Sequence, residues 1–141
     1  MEDENRLQIG SEHDILTARQ RGRALAEEVG FSGSDLTILA TAISEIARNI
    51  VQYAKRGEMV ISLVREGPSR GIVVVARDEG PGIADVKLAM QDGYSTGRSL
   101  GLGLPGSRRL MDEFDLDSQS GRGTTVTMKK WVQKPSASVD R

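Results

Sequence analysis

The stretch Ile72-Val73-Val74-Val75-Ala76-Arg77-Asp78-Glu79-Gly80-Pro81-Gly82 decides how this chain reads. Its first five residues are apolar without alternation and mostly β-branched, which predicts a central strand buried on both faces. Asp78 closes that strand and opens a sharp loop, because Gly and Pro end regular structure and set turn geometry. A carboxylate placed there can accept a hydrogen bond from an exocyclic amine, while Gly80 and Gly82 let a flat ring approach the backbone. The ordinary reading of an Asp before Gly-Pro-Gly is simply a turn.

Upstream, Met59 to Arg65 reads as a partner strand, joined to the first by the turn-like Glu66-Gly67-Pro68-Ser69-Arg70-Gly71. Before it, Leu36, Leu39, Ile43, Ala47, Ile50 and Ala54 recur at helical spacing, with Ser32 or Ser34 as cap and Gly57 as stop. Ile15, Ala18, Gly22, Leu25 and Val29 predict an earlier helix from Asp14, ended by Gly30; Arg6 to Ile9 fits a short edge strand. Downstream, a short helix is predicted over Asp85 to Met90, then a polar glycine-rich segment from Asp92 to Ser99. Another helix is predicted from Gly103 to Met111, and two strands, Leu116 to Ser120 and Thr124 to Trp131, flank the turn at Gly121 to Gly123. The order favours an α/β two-layer sandwich, with helices packed on one face of a mixed, mainly antiparallel sheet.

Composition narrows the function. The 141 residues carry 19 basic and 20 acidic side chains, interspersed, for a net charge of −1. That is not the footprint of a nucleic-acid binder. There is no cysteine, hence no disulfide framework and no thiolate metal site. No apolar run reaches the roughly 18–20 residues that span a bilayer, and the acidic start Met1 to Arg6 does not fit a signal peptide, so a cytoplasmic protein is expected. One domain is expected over 1–132, followed by a disordered polar tail over 133–141. Glycine numbers 16, and seven of those lie between Gly80 and Gly106. Such clustering predicts a loop where backbone meets a ligand.

Two motifs match by letter only. Gly93-Tyr94-Ser95-Thr96-Gly97 fits the nucleophile elbow, but that turn follows a strand and needs a later His, and the single His is His13. Gly101-Leu102-Gly103-Leu104-Pro105-Gly106 fits the dinucleotide fingerprint, yet a polar loop precedes it and Ser120 stands where an acid is required. A phosphate-binding loop ending in Gly-Lys-Ser/Thr is absent.

A nucleotide site remains. Glu45 and Asn49 are four residues apart on the second helix and so are surface neighbours away from its apolar seam. A carboxylate can polarise a hydroxyl, and an amide oxygen can ligate Mg²⁺. Taken alone the pair is an ordinary polar flank. Gly101 and Gly103 open a helix whose free N–H groups suit a phosphate. In this order the features describe a cleft with a base at one end and phosphates at the other.

These residues resemble the Bergerat-fold (GHKL) ATPases, the superfamily of gyrase, the histidine kinases, MutL and the Hsp chaperone ATPases. The resemblance rests on Glu45-Ile46-Ala47-Arg48-Asn49, on Asp78-Glu79-Gly80-Pro81-Gly82, on Leu100-Gly101-Leu102-Gly103-Leu104 and on Gly123-Thr124, and it covers about residues 35–130. Within the superfamily the stretches TAISEIARNIVQYA, DEGPGI and LGLPGSRRLMDEF are similar to the RsbT-type serine/threonine switch kinases. Anti-sigma factor kinases share all four boxes, but they usually continue the helix with Asn-Ala and often carry a His where Ile50 and Tyr53 stand here.

The resemblance implies an enzyme that uses Mg-ATP to phosphorylate a STAS-domain antagonist or scaffold protein in bacterial stress partner switching. On release it would activate a downstream phosphatase of the PP2C type; the alternative is an anti-sigma factor kinase that sequesters a sigma factor. It also implies roles. Glu45 is the general base; Asn49 holds Mg²⁺ and contacts ATP; Asp78 bonds the adenine amine, helped by Thr124 through a water. Gly80 and Gly82 shape the pocket, Tyr94 to Leu100 form a lid, and Gly101, Leu102 and Gly103 supply its hinge and phosphate-facing backbone. Lys55 or Arg98 neutralises phosphate charge, unless either is a solvated surface residue.

Overall fold

The computed structural model describes residues 4–81, 103–119 and 121–132. Strand β1 (Glu4–Ile9) leads to helices α1 (Glu12–Val29) and α2 (Ser34–Asn49), and α2 continues into a π-helical turn, Ile50–Ala54. Strands β2 (Gly57–Glu66) and β3 (Ser69–Asp78) follow, then helix α3 (Gly103–Leu110) and strands β4 (Glu113–Gln119) and β5 (Gly123–Trp131). The sheet order is β1-β2-β3-β5-β4, so β3 is the middle strand and β1 an edge. All the pairings described are antiparallel, which narrows the expected mixed sheet. Hairpin links explain two of them: Gly67 and Pro68 alone connect Glu66 to its partner Ser69, so the turn is tighter than the six residues expected.

The α1 start is set by Ser11, whose Oγ accepts from Asp14 N–H at 3.3 Å, while the Asp14 carboxylate accepts from Gly10 N–H at 2.8 Å. This reciprocal cap places the start two residues before Asp14, because it satisfies amides that otherwise lack partners. Gly30, at φ 121°, ends the helix as expected. The start of α2 differs from expectation. Neither Ser32 nor Ser34 caps it by a side chain; Gly33, at φ 60°, is the cap residue, and the carbonyls of Ser32 and Gly33 take the Asp35 and Leu36 amides. Its end differs too. The α-helix stops at Asn49 and the π turn at Lys55, which has φ 72°, so Gly57 already lies in β2.

Ile9, Met59, Ile61, Ile72, Val74 and Met128 project from one sheet face and are at most 1% exposed. They meet Leu39, Ile43 and Ile46 of α2 and Val29 of α1 in one cluster. Gly22 of α1 lets the helices close up: a methyl there would collide with the Ile43 δ-methyl. The strand Ile72 to Ala76 was expected to be covered on both faces, and the structure corrects this. Ile72, Val74 and Ala76 are buried under the helices, but Val73 and Val75 are only half-buried, because among the described residues no layer packs on that second face.

Candidate active site

Asp78 is the last residue of β3, on the helix-covered face, directly opposite Gly57 of β2 and Thr124 of β5. Ser118 of β4 stands opposite Thr124. One row therefore crosses the end of the sheet: Gly57, Asp78, Thr124, Ser118. Asp78 Oδ1 accepts from the Gly80 N–H at 2.9 Å, which folds the loop back on its own carboxylate. The Pro81 carbonyl accepts from Gly121 N–H at 2.6 Å, so the turn between β4 and β5 holds the same loop from the far side.

Glycine keeps both flanks of Asp78 open. A methyl on Gly57 would strike the Arg77 carbonyl and lie 3.0 Å from Asp78 Cβ. Gly123 has φ 90°, and a methyl there would strike the Asp78 carbonyl, so neither backbone space nor conformation admits another residue. Beside them, Thr124 Oγ1 and Ser118 Oγ are 2.8 Å apart, and Ser118 Oγ donates to the Gly123 carbonyl at 3.1 Å. With its one proton so directed, Ser118 accepts from Thr124, and the Thr124 oxygen keeps lone pairs for an incoming donor.

Glu45 and Asn49 lie half-buried on α2, one turn apart and so about 6 Å along the axis. The π turn that extends this helix packs on the Asp78 end of the sheet: Ile50 Cγ2 would be 3.0 Å from a methyl on Gly57. Sequence-distant Asp78 and Asn49 are thereby brought to one end of the molecule. Lys55 is exposed on the turn after Ala54. Gly103 begins α3, where the sequence predicts that helix to start. The far end of α3 is anchored by Lys130, itself buried, whose Nζ donates to the Leu110 carbonyl at 3.1 Å. Gly82, Arg98, Gly101, Leu102, the lid Tyr94 to Leu100, the helix Asp85 to Met90 and the tail 133–141 lie outside the described residues.

Sequence reasoning gave Gly57 only as a helix stop and did not single out Ser118. Each is separated from Asp78 by tens of residues, and only the strand register aligns them. The register of the β4–β5 hairpin across Gly121 to Gly123 would have paired Ser118 with Thr124.

The donors fit the ligands that the resemblance implies. Mg²⁺ takes hard oxygen ligands and is usually held by one or two protein groups plus substrate phosphates. Asn49 offers an amide oxygen one turn from the Glu45 carboxylate, and among the described residues no cluster of three His, Cys, Asp or Glu forms a dedicated cage. Nor is any described helix long and apolar enough to cross a membrane.

This fold and this row of groups define an ATPase domain of the histidine-kinase-like class. The family model described as "Histidine kinase-like ATPase domain" matches residues 11–130, from the cap of α1 into β5. A solved structure, the mycobacterial sensor histidine kinase MprB, superposes with a TM-score of 0.55 at 14% identity, covering 96% of this chain and 100% of that one, which speaks to the fold. The serine/threonine-protein kinase RsbT of Bacillus subtilis is 47% identical over 133 residues, 94% of this chain and all of that protein. The anti-sigma F factor of Geobacillus thermodenitrificans is 33% identical over 147 residues, 97% of this chain and 98% of that one. The chain belongs to the histidine-kinase-like ATPases and, within them, to the serine/threonine-protein kinases of the RsbT type.

Proposed function

We propose that this protein transfers the γ-phosphoryl group of Mg-ATP to a Ser or Thr hydroxyl on a STAS-domain antagonist or scaffold protein of a stress or sigma-factor partner-switching pathway. The observation that carries the reading is the pairing of a carboxylate and an amide one helical turn apart on a helix whose end packs on the Asp78 loop. In this reading the adenine amine donates to Asp78, and Thr124 accepts from a water beside it. Asn49 holds Mg²⁺, which neutralises charge on the phosphates when bound. The Gly103 end of α3 turns backbone N–H groups toward the phosphates, with Gly101 and Leu102 ahead of it. Gly80 and Gly82 shape the purine slot, and Lys55 or Arg98 adds positive charge at the phosphate end.

Glu45 accepts the proton of the attacking hydroxyl as its oxygen bonds to phosphorus and the bond to the leaving ADP oxygen breaks. Phosphoryl transfer depends mainly on positioning and charge neutralisation, so few groups are required. The 47% identity to a kinase, against 33% to an anti-sigma factor, supports phosphorylation as the main work over sequestration of a sigma factor. We extend the proposal to cytoplasmic action and, after release, to activation of a PP2C-type phosphatase.

Calorimetric titration with Mg-ATP, followed by incubation with labelled ATP and purified STAS proteins, tests it. Heat of binding and label on Ser or Thr of the STAS protein are expected. A folded sample that binds no ATP, or binds it and transfers no label, counts against the reading.

A further inference from the structure

The π turn does something that an uninterrupted α-helix could not. In an α-helix the residue one turn beyond Asn49 would be Tyr53, four positions on. A π turn links residues five apart, so Ala54, five beyond Asn49, and not Tyr53, is its partner one turn on. Tyr53 is turned outward and is 42% exposed. The smallest side chain of the turn, Ala54, thus faces the loop at the end of β3.

There it meets Gly80 with no slack. A methyl added to Gly80 would lie 2.5 Å from Ala54 Cβ and 2.8 Å from Ala54 Cα. Gly80 is not among the glycines with positive φ, so its lack of a side chain answers to space and not to backbone conformation. Its N–H is also the donor to Asp78 Oδ1 at 2.9 Å. Displacing Gly80 therefore displaces the carboxylate. On the other side, Lys55 leaves the turn at φ 72°. An ordinary side chain in that region is strained and persists where surrounding contacts dictate the chain path.

We propose that Ala54 is a positioning residue: its methyl, brought onto Gly80 by the π turn, sets the separation between the Asp78 loop and the helix end bearing Glu45 and Asn49. This rests on the nucleotide reading above. The two ends of one ligand would be gripped by two elements that touch through this contact. A larger residue at either position spreads the halves apart without removing any group that binds.

The test is a size swap. Ala54→Val and Gly80→Ala each add bulk at the contact; Ala54→Gly with Gly80→Ala moves a single methyl across it. Mg-ATP affinity is expected to fall about tenfold or more in each single variant, and phosphoryl transfer by about a hundredfold, which a misplacement of reacting groups by about 1 Å can cost. The double variant is expected to bind more tightly than Gly80→Ala alone. Its recovery is partial, because the Ala54 Cα, 2.8 Å from the new methyl, remains. In Ala54→Val, which leaves the residues of the Asp78 loop unaltered, adenosine, which reaches the Asp78 half only, is expected to lose less affinity than ATP, a split that general destabilisation would not produce.

ATP binding at unchanged affinity in both single variants overturns the inference and leaves the kinase reading standing. Absence of ATP binding by the unaltered chain overturns both. Should Ala54→Val fail to fold, Gly80→Ala against the double variant decides, and equal affinities in those two overturn the inference.

Discussion

Asp78 and Glu45 are both half-buried carboxylates, and the proposed function gives them different work. Asp78 ends a strand between two glycines, with one oxygen committed to the Gly80 amide; Glu45 stands on a helix surface one turn before Asn49. We expect Asp78→Asn to abolish measurable ATP binding in calorimetry, since the amide presents an N–H where an acceptor is needed. Glu45→Ala is expected to bind ATP and to slow transfer by about 10²–10⁴, the usual contribution of a positioned base. Similar ATP affinity in the two variants would contradict these roles. Glu45 and Asn49 were legible in the sequence because helical periodicity alone makes them neighbours. Thr124 entered through the resemblance, and Ser118 was missed. Its hydroxyl joins the site through pairing with a strand that begins beyond a turn, and no local spacing encodes that.

At the scale of elements, caps and exits matter most. The Ser11 and Asp14 cap was present in the sequence as Ser-x-x-Asp, but apolar periodicity begins at Ile15 and draws attention past it. Replacing Ser11 with Ala is expected to cost about 1 kcal/mol in urea unfolding, the typical worth of an N-cap. An unchanged midpoint would show that the backbone carbonyl of Ser11, which also accepts from Asp14 N–H, suffices. The exit from α2 works in the opposite sense. Lys55 holds a positive φ, so Lys55→Gly is expected to raise stability by about 1 kcal/mol, read as a higher urea midpoint; a lower one would mean that the Lys55 side chain stabilises the turn. Helical spacing projected α2 as one unbroken run to Ala54. It could not register the π turn, because widening by one residue leaves Ile50 on the apolar seam, and what Ala54 meets is a glycine in a loop distant in sequence.

Among the described residues, helices cover one sheet face, and the core between them is one cluster. Met128 of β5 lies in it with no exposed surface. Met128→Ala is expected to cost about 2–5 kcal/mol through the lost contacts and the cavity. The loss should appear as one earlier cooperative transition in fluorescence and circular dichroism alike; separate transitions by the two probes would mean that the sheet and helices do not unfold as a unit. The types and order of the described elements and the placement of Glu45, Asn49 and Asp78 on them could be read from the chain itself, because periodicity, capping and turn formation depend on near neighbours. Strand order, the half-buried face bearing Val73 and Val75, the row from Gly57 to Ser118 and the fit of Ala54 on Gly80 were decided only by tertiary structure. Those contacts join residues far apart in sequence, and their geometry depends on how closely backbones approach, which no local pattern of side chains specifies.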